Sequence, residues 1–226
     1  MSKLKIPILL IFVILLIDQY LKIWIKTNMS LGEQISIFGD WAFLHFTENN
    51  GMAFGWELGG GFGKMALSIF RILAVIGIGW YLFDLSKKNA PTGLLISFAM
   101  IFAGAVGNII DSSFYGVIFS KSYGEVAKIF PEGGGYSSFL HGKVVDMFYF
   151  PIIKTTIPAG IQFWAPDPAP IPFTFFRPVF NVADSSITLG VAMIIMFHRK
   201  FFKETQEEEM QVSENIENTA SIDDVK

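Results

Sequence analysis

Four long apolar runs divide the chain, at about 6–25, 65–85, 93–110 and 179–197. Each is close to the ~20 residues an α-helix needs to cross a hydrocarbon core, so the pattern predicts four transmembrane helices. Basic residues collect at particular ends of these runs. Lys3 and Lys5 precede the first, Lys87 and Lys88 separate the second from the third, and His198, Arg199, Lys200 and Lys203 follow the fourth. The bias of lysine and arginine toward the cytoplasm then puts both termini there. The basic start and first apolar run resemble a secretory signal, but Asp18-Gln19-Tyr20-Leu21-Lys22 follows where a small-residue cleavage site would stand. The first run is therefore read as a retained helix.

Shorter periodicities fill the space between. Ile35-Ser36-Ile37-Phe38 and Phe43-Leu44-His45-Phe46 read as short strands, predicting a small extracytoplasmic β cradle. Glu48-Asn49-Asn50-Gly51 reads as a tight turn leading to Met52-Ala53-Phe54, and Gly59-Gly60-Gly61 as a flexible lead into the second helix. Residues 86–92, with Pro91, suit a short cytoplasmic hairpin, whereas 112–178 is a long outer region. Such lengths are uncommon unless functional or disordered. The expected fold is an all-α membrane protein of four transmembrane helices with that cradle and long outer loops. One membrane domain, 1–203, precedes an acidic cytoplasmic tail, 204–226, expected to be disordered.

The polar residues inside the apolar runs change the picture. At a rise of ~1.5 Å per residue, Asp18 lies about 20 Å into the first helix from the cytoplasm and Arg71 about 9 Å into the second from outside. Asn108 and Asp111 lie about 22 and 27 Å along the third, and Asn181 and Asp184 about 3 and 8 Å into the fourth. All six fall in the outer third. A charge at the bilayer centre costs about 2.5–3.5 kcal/mol on insertion scales, so such groups face protein or water and mark function. Six at one depth predict a site near the outer leaflet.

Composition sets limits. The chain has 226 residues, is 52% hydrophobic and 15% aromatic, and carries a net charge of -3, with much of the acid in the tail. This is the profile of a compact multi-pass protein, with no basic stretch that calls for nucleic acid. It has no cysteine, which excludes disulfides, thiolate catalysis and cysteine-ligated metals. His45 and His141 lack metal-ligand spacing, and no metal or other cofactor is expected. Trp24, Trp41 and Trp80 fit interfacial belts.

Asn108 and Asp111, like Asn181 and Asp184, are spaced i, i+3, which on a helix puts both on one face toward a common partner. The plainer alternative is that the asparagines join helices by hydrogen bonds. Asp146 stands in Lys143-Val144-Val145-Asp146-Met147-Phe148, an apolar stretch returning from the outer region. It is either a partly buried acid or an ordinary surface aspartate. Two carboxyls close together in a low dielectric cannot both ionise, so one keeps a proton while the other polarises water, as in aspartic peptide hydrolysis.

Five motifs occur in order: Asp18-Gln19-Tyr20-Leu21-Lys22, Asn49-Asn50-Gly51-Met52-Ala53-Phe54, Gly104-Ala105-Val106-Gly107-Asn108-Ile109-Ile110-Asp111, Val144-Val145-Asp146 and Phe180-Asn181-Val182-Ala183-Asp184. Together they closely resemble lipoprotein signal peptidase, the type II signal peptidase of bacteria. The resemblance implies an aspartic endopeptidase of the bacterial inner membrane. It would remove the signal peptide from diacylglyceryl-modified prolipoproteins, cutting just before the lipidated cysteine. By motif position Asp146 and Asp184 are the catalytic pair. Asp18, Lys22, Asn49, Gly51, Arg71, Asn108, Asp111, Asn181 and Ala183 bind substrate or shape the site. The resemblance further implies contact with membrane lipid, inhibition by the cyclic peptide globomycin, and a monomer.

Two departures stand out. Ser112 follows Asp111 where the family usually has arginine, and Arg71 is the expected substitute partner for Asp111. Met147 takes the place of the usual aromatic residue after the catalytic aspartate. The loops 112–143 and 148–178 are also longer than the family pattern. The competing reading is a small multi-pass transporter or proton relay, which would stagger its acids across the membrane.

Overall fold

The computed structural model describes residues 2–50, 60–157, 170–175, 177–197, 199 and 201. Gly51 and Met52-Ala53-Phe54, together with the acidic tail, lie outside the described residues. The protein is helix-rich, with a small sheet, and divides into two compact units. One comprises Met1–Gln19, Met65–Ile110 and Val182–Lys226; the other comprises Tyr20–Lys64 and Asp111–Asn181.

The first unit is built from helices. Helix α1 (Lys5–Asn28) begins in it, and α2 (Gly60–Lys87), α3 (Thr92–Ile110) and a last helix, Val182–Phe197, belong to it or lead into it. Among the described residues, three stretches are long and apolar enough to cross a membrane: Lys5–Asn28, Gly63–Lys87 and Thr92–Ile118. Their outer faces carry exposed Ile8, Leu9, Phe12, Leu16, Phe70, Leu73 and Ile76, as expected of helices solvated by lipid. The fourth apolar run behaves differently. Val179–Phe180 pairs as a strand, so the helix begins only at Val182, and its continuous described stretch runs to Phe197.

The turn between α2 and α3 follows from its residues. Asn89 takes a positive φ of 55°, the left-handed conformation that closes many helices, and the Ala90 N–H donates to the Leu85 carbonyl at 3.0 Å. Pro91 then leads into α3, receiving the N–H groups of Leu94 and Leu95. Leu82, Leu85, Leu94, Leu95 and Ala99 form a buried cluster there with Phe201. Farther along α3, small residues allow close approach, as in many membrane bundles. A Cβ on Gly104 would run into the Ala183 carbonyl, and one on Gly107 would lie 2.7 Å from Asp18 Oδ2.

The second unit holds the strands. Strands β1 (Gln34–Phe38), β2 (Ala42–Asn49), β3 (Val144–Tyr149) and β6 (Val179–Phe180) form one antiparallel sheet in the order β1-β2-β3-β6. Strands β4 (Ile153–Ile157) and β5 (Ile171–Phe175) form a separate antiparallel pair. The two predicted strands near 35–46 are present. Glu48 and Asn49, expected in a turn, instead extend β2, facing Val145 and Val144 across the ladder. That pairing gives their backbone groups partners that a turn would leave to solvent.

The third helical path also runs past its predicted end at 110. A π-turn at Asp111–Tyr115 follows α3, then a single turn, α4 (Gly116–Ile118). Counting α4, the last helix Val182–Phe197 is α5. The long segment after α4 is bonded back at several points: Phe130 N–H to Ile118 O at 2.7 Å, Tyr136 N–H to Phe119 O at 2.9 Å, and Gly142 N–H to Ser112 O at 2.8 Å.

Candidate active site

In the helical unit, Asp18 is fully buried on α1. Its Oδ1 accepts the Ala183 backbone N–H at 2.9 Å, and Gln19 Nε2 donates to Oδ2 at 3.1 Å and to the Gly107 carbonyl at 3.2 Å. The first N–H groups of a helix have no partner within it and carry partial positive charge, so a carboxylate from α1 satisfies and stabilises the start of α5. This accounts for three motif residues at once. Asp18 supplies the oxygens, Ala183 the N–H, and Gly107 the absent Cβ that lets them meet. Also in the first turn of α5, Asp184 Oδ1 accepts from Asn108 Nδ2 at 2.8 Å. Arg71, half-buried on α2, exerts an attractive charge interaction on Asp184.

In the strand-bearing unit, Asp146 sits on β3 opposite Thr47 and is only 4% exposed, which removes the surface-aspartate alternative. Asn181 Nδ2 donates to Asp146 Oδ1 at 2.8 Å and to the Val145 carbonyl at 3.2 Å. Asn181 stands between β6 and α5, outside the regular helix. It therefore does not share a helical face with Asp184, and each contacts a different partner. The other pair separates in the same way. Asn108 donates to Asp184, whereas Asp111, at the start of the π-turn, accepts from Lys22 and the Val145 N–H.

Asp111 finds its cation on α1. Where the sequence pointed to Arg71, the structure brings Lys22 Nζ to 2.8 Å from Asp111 Oδ2, with both side chains buried. The same carboxylate accepts the Val145 N–H at 3.2 Å, so the ion pair holds the backbone beside Asp146. Ser112 is itself buried, and its carbonyl receives the Gly142 N–H.

One further group escaped the sequence analysis. Lys26, fully buried at the end of α1, lies 2.6 Å from Glu48 Oε1 and 3.0 Å from Ser122 Oγ. Its Nζ is 5.7, 5.3 and 5.0 Å from the ring centres of Phe46, Phe119 and Tyr136, within cation–π range. Lys143 approaches Glu48 Oε2 at 3.3 Å. Burial alone would raise the Glu48 carboxyl, but the two ammonium groups outweigh it and hold the carboxyl below its usual range. Burial pushes the Tyr136 phenol up, and its oxygen accepts the Lys143 N–H at 2.7 Å. A signal was available, because Asp18, Lys22 and Lys26 recur every fourth residue and so share one stripe of α1.

Asn49 is half-buried on β2, in register with Val144 and two places from Thr47, which faces Asp146. Lys64 Nζ joins Asn50 Oδ1 at 3.1 Å to the His141 carbonyl at 2.8 Å. Chemically, four of these acids fall into two kinds. Asp146 and Asp184 each meet a side-chain amide, which can orient a carboxyl whether or not it carries a proton, whereas Asp111 and Glu48 meet lysine.

The model of the signal peptidase (SPase) II family matches residues 10–200. A lipoprotein signal peptidase of Porphyromonas gingivalis strain W83 is 47% identical over 193 residues, covering 85% of this chain and 82% of its own. One from Amoebophilus asiaticus is 37% identical over 186 residues, covering 81% and 73%. A solved structure described as a bacterial membrane enzyme, determined by the in meso method at 1.9 Å, superposes with a TM-score of 0.52 at 27% identity, covering 84% of this chain and 90% of its own. A second such enzyme, at 2.3 Å, has a TM-score of 0.53 and 23% identity and shares the fold. With the family model spanning residues from α1 to the end of α5, this chain belongs to the signal peptidase II family.

Proposed function

We propose that this protein removes signal peptides from prolipoproteins, acting as an aspartic endopeptidase that cuts just before the diacylglyceryl-modified cysteine. The observation that carries the aspartic reading is the pair of amide-held carboxyls. Asp146 is bonded by Asn181 and Asp184 by Asn108, both at motif positions of the family. In this reading one carboxylate takes a proton from water as the water attacks the scissile carbonyl. The other, protonated, donates to the developing oxyanion; the proton taken from water then passes from the first carboxyl to the leaving amine, and the second carboxyl recovers its proton as the carbonyl re-forms. Because coupled acids titrate as a pair, the proton belongs to the dyad rather than to one residue.

The remaining motif residues take supporting roles. Asn108 and Asn181 orient the acids, Asp18 and Ala183 fix the first turn of α5, and Lys22 with Asp111 fixes the strand beside Asp146. Asn49 and Gly51 are assigned to the substrate backbone and Arg71 to charge balance around Asp184. The setting we infer is the bacterial inner membrane, with four spans, both termini cytoplasmic and the peptide bond cut at outer-leaflet depth. The fourth span would consist of α5 and the residues flanking it. The enzyme is taken to act as a monomer and to be blocked by globomycin.

The test is cleavage of a diacylglyceryl-modified prolipoprotein by the purified protein, with Asp146→Asn, Asp184→Asn, globomycin and a chelator as separate arms. The reading requires loss of cleavage in both variants and with globomycin, and survival with chelator. Wild-type rates in either variant would sink the dyad.

A further inference from the structure

The β4–β5 pair has one apolar face. The register sets Ile153 against Phe175, Thr155 against Phe173 and Ile157 against Ile171, so these six lie on one side, while Thr156 and Thr174 lie on the other. Ile153 is 53% exposed, Ile171 43%, Phe173 43% and Phe175 53%. A lone two-stranded pair is marginally stable in water, so an apolar face this open needs an apolar surface to rest against.

The chain around it indicates which surface. Six residues separate Phe175 from Val182, the start of the apolar helix α5, a reach over seven Cα–Cα steps of at most ~25 Å even when fully extended. The face carries no charged side chain and so offers nothing to pair with a charged protein partner. Arg177, exposed two residues beyond β5, supplies a cation of the kind that binds lipid phosphate. We propose that the β4–β5 pair is a membrane foot, with Ile153, Ile171, Phe173 and Phe175 seated among the acyl chains of the leaflet and Arg177 at its phosphates. The inference rests on the membrane setting proposed above but not on the aspartic mechanism. On this view the segment joining the strand of Asp146 to α5 is held at the lipid surface at its midpoint.

The chain has no cysteine, so single cysteines can be introduced cleanly. Ile153→Cys, Phe173→Cys, Thr156→Cys and Thr174→Cys would each be spin-labelled in the full-length protein in phosphatidylglycerol-containing liposomes. Collision with oxygen, which partitions into lipid, would be compared with collision with a water-soluble nickel chelate. The proposal requires an oxygen-to-nickel ratio several-fold higher at 153 and 173 than at 156 and 174. Equal water access on both faces would overturn it. So would labels at 153 and 173 shielded from both reagents, which would mean a protein surface, such as a second copy, covers the face. Two sites per face, one on each strand, guard against a single label disturbing the fold. Prolipoprotein cleavage by the labelled proteins is read separately, so failure of the foot and failure of the peptidase reading remain distinguishable.

Discussion

Two acids of this protein, Asp111 and Glu48, meet ammonium groups that include those of α1; two others, Asp146 on β3 and Asp184 in the first turn of α5, meet side-chain amides. Lys22 holds Asp111, and Lys26 with Lys143 holds Glu48, whereas Asn181 holds Asp146 and Asn108 holds Asp184. An ammonium partner fixes the carboxylate as an anion and makes it a fastener. An amide fixes its direction and leaves its proton free to move, which is what acid–base catalysis needs. Asp146 and Asp111 are both buried, so burial does not separate the acids we assign to catalysis from those that fasten the fold.

The comparison breaks most sharply at the amide-held acids. Asp146→Asn and Asp184→Asn should each lower prolipoprotein cleavage by about 100-fold or more while leaving the melting temperature in detergent near that of the parent. A large loss of stability with activity retained would reverse the assignment. Lys22→Met should show the opposite profile, because it leaves Asp111 buried without its ammonium, at a cost of about 3–5 kcal/mol of stability. Adding Asp111→Leu should recover much of that loss in thermal unfolding, and no recovery would show that the pair does more than neutralise charge.

Gly107→Ala gives a smaller effect and connects the two kinds of acid. The new Cβ would press on Asp18 Oδ2 and through it on the Ala183 N–H, costing about 1–3 kcal/mol and shifting the turn that carries Asp184. It should lower kcat more than it raises KM. The smallest effect is a pH dependence. The folded-state Glu48 carboxyl lies below its usual range, so its contribution is complete above that range and fades as pH falls through the folded value. Glu48→Gln should therefore destabilise the protein at neutral pH, and the gap to the parent in melting temperature should close on acidification. A gap independent of pH would mean that the Glu48–Lys26 contact matters for packing alone.

The sequence shows most clearly what hydrophobic period and motif order encode. The first three apolar runs are helices of nearly the predicted bounds, and the strands near 35–46 are present. The start of α5 was harder to see, because Val179 and Phe180 are as apolar as a helix requires. Only the edge of β3, more than thirty residues earlier in the chain, makes them a strand. The same holds for Asp111. Its partner Lys22 comes from α1, far away in the chain, and no local pattern around Asp111 marks that pairing. Lys26 was overlooked for a different reason: near the end of a membrane helix a lysine reads as a snorkelling side chain. Its place in the stripe with Asp18 and Lys22 was visible, but the acid and rings that receive it lie 20 to 110 residues away.

The ring box around Lys26 bears on any effort to shorten this protein. The segment after α4 looks like a dispensable outer loop, and a designer would be tempted to excise it. Phe119, Ser122 and Tyr136 all come from that segment. Excision would leave Lys26 facing open water with only Glu48 and Phe46 of its present surroundings beside it. The loop and the helix end therefore form a single structural module, and trimming one obliges the designer to rewrite the other.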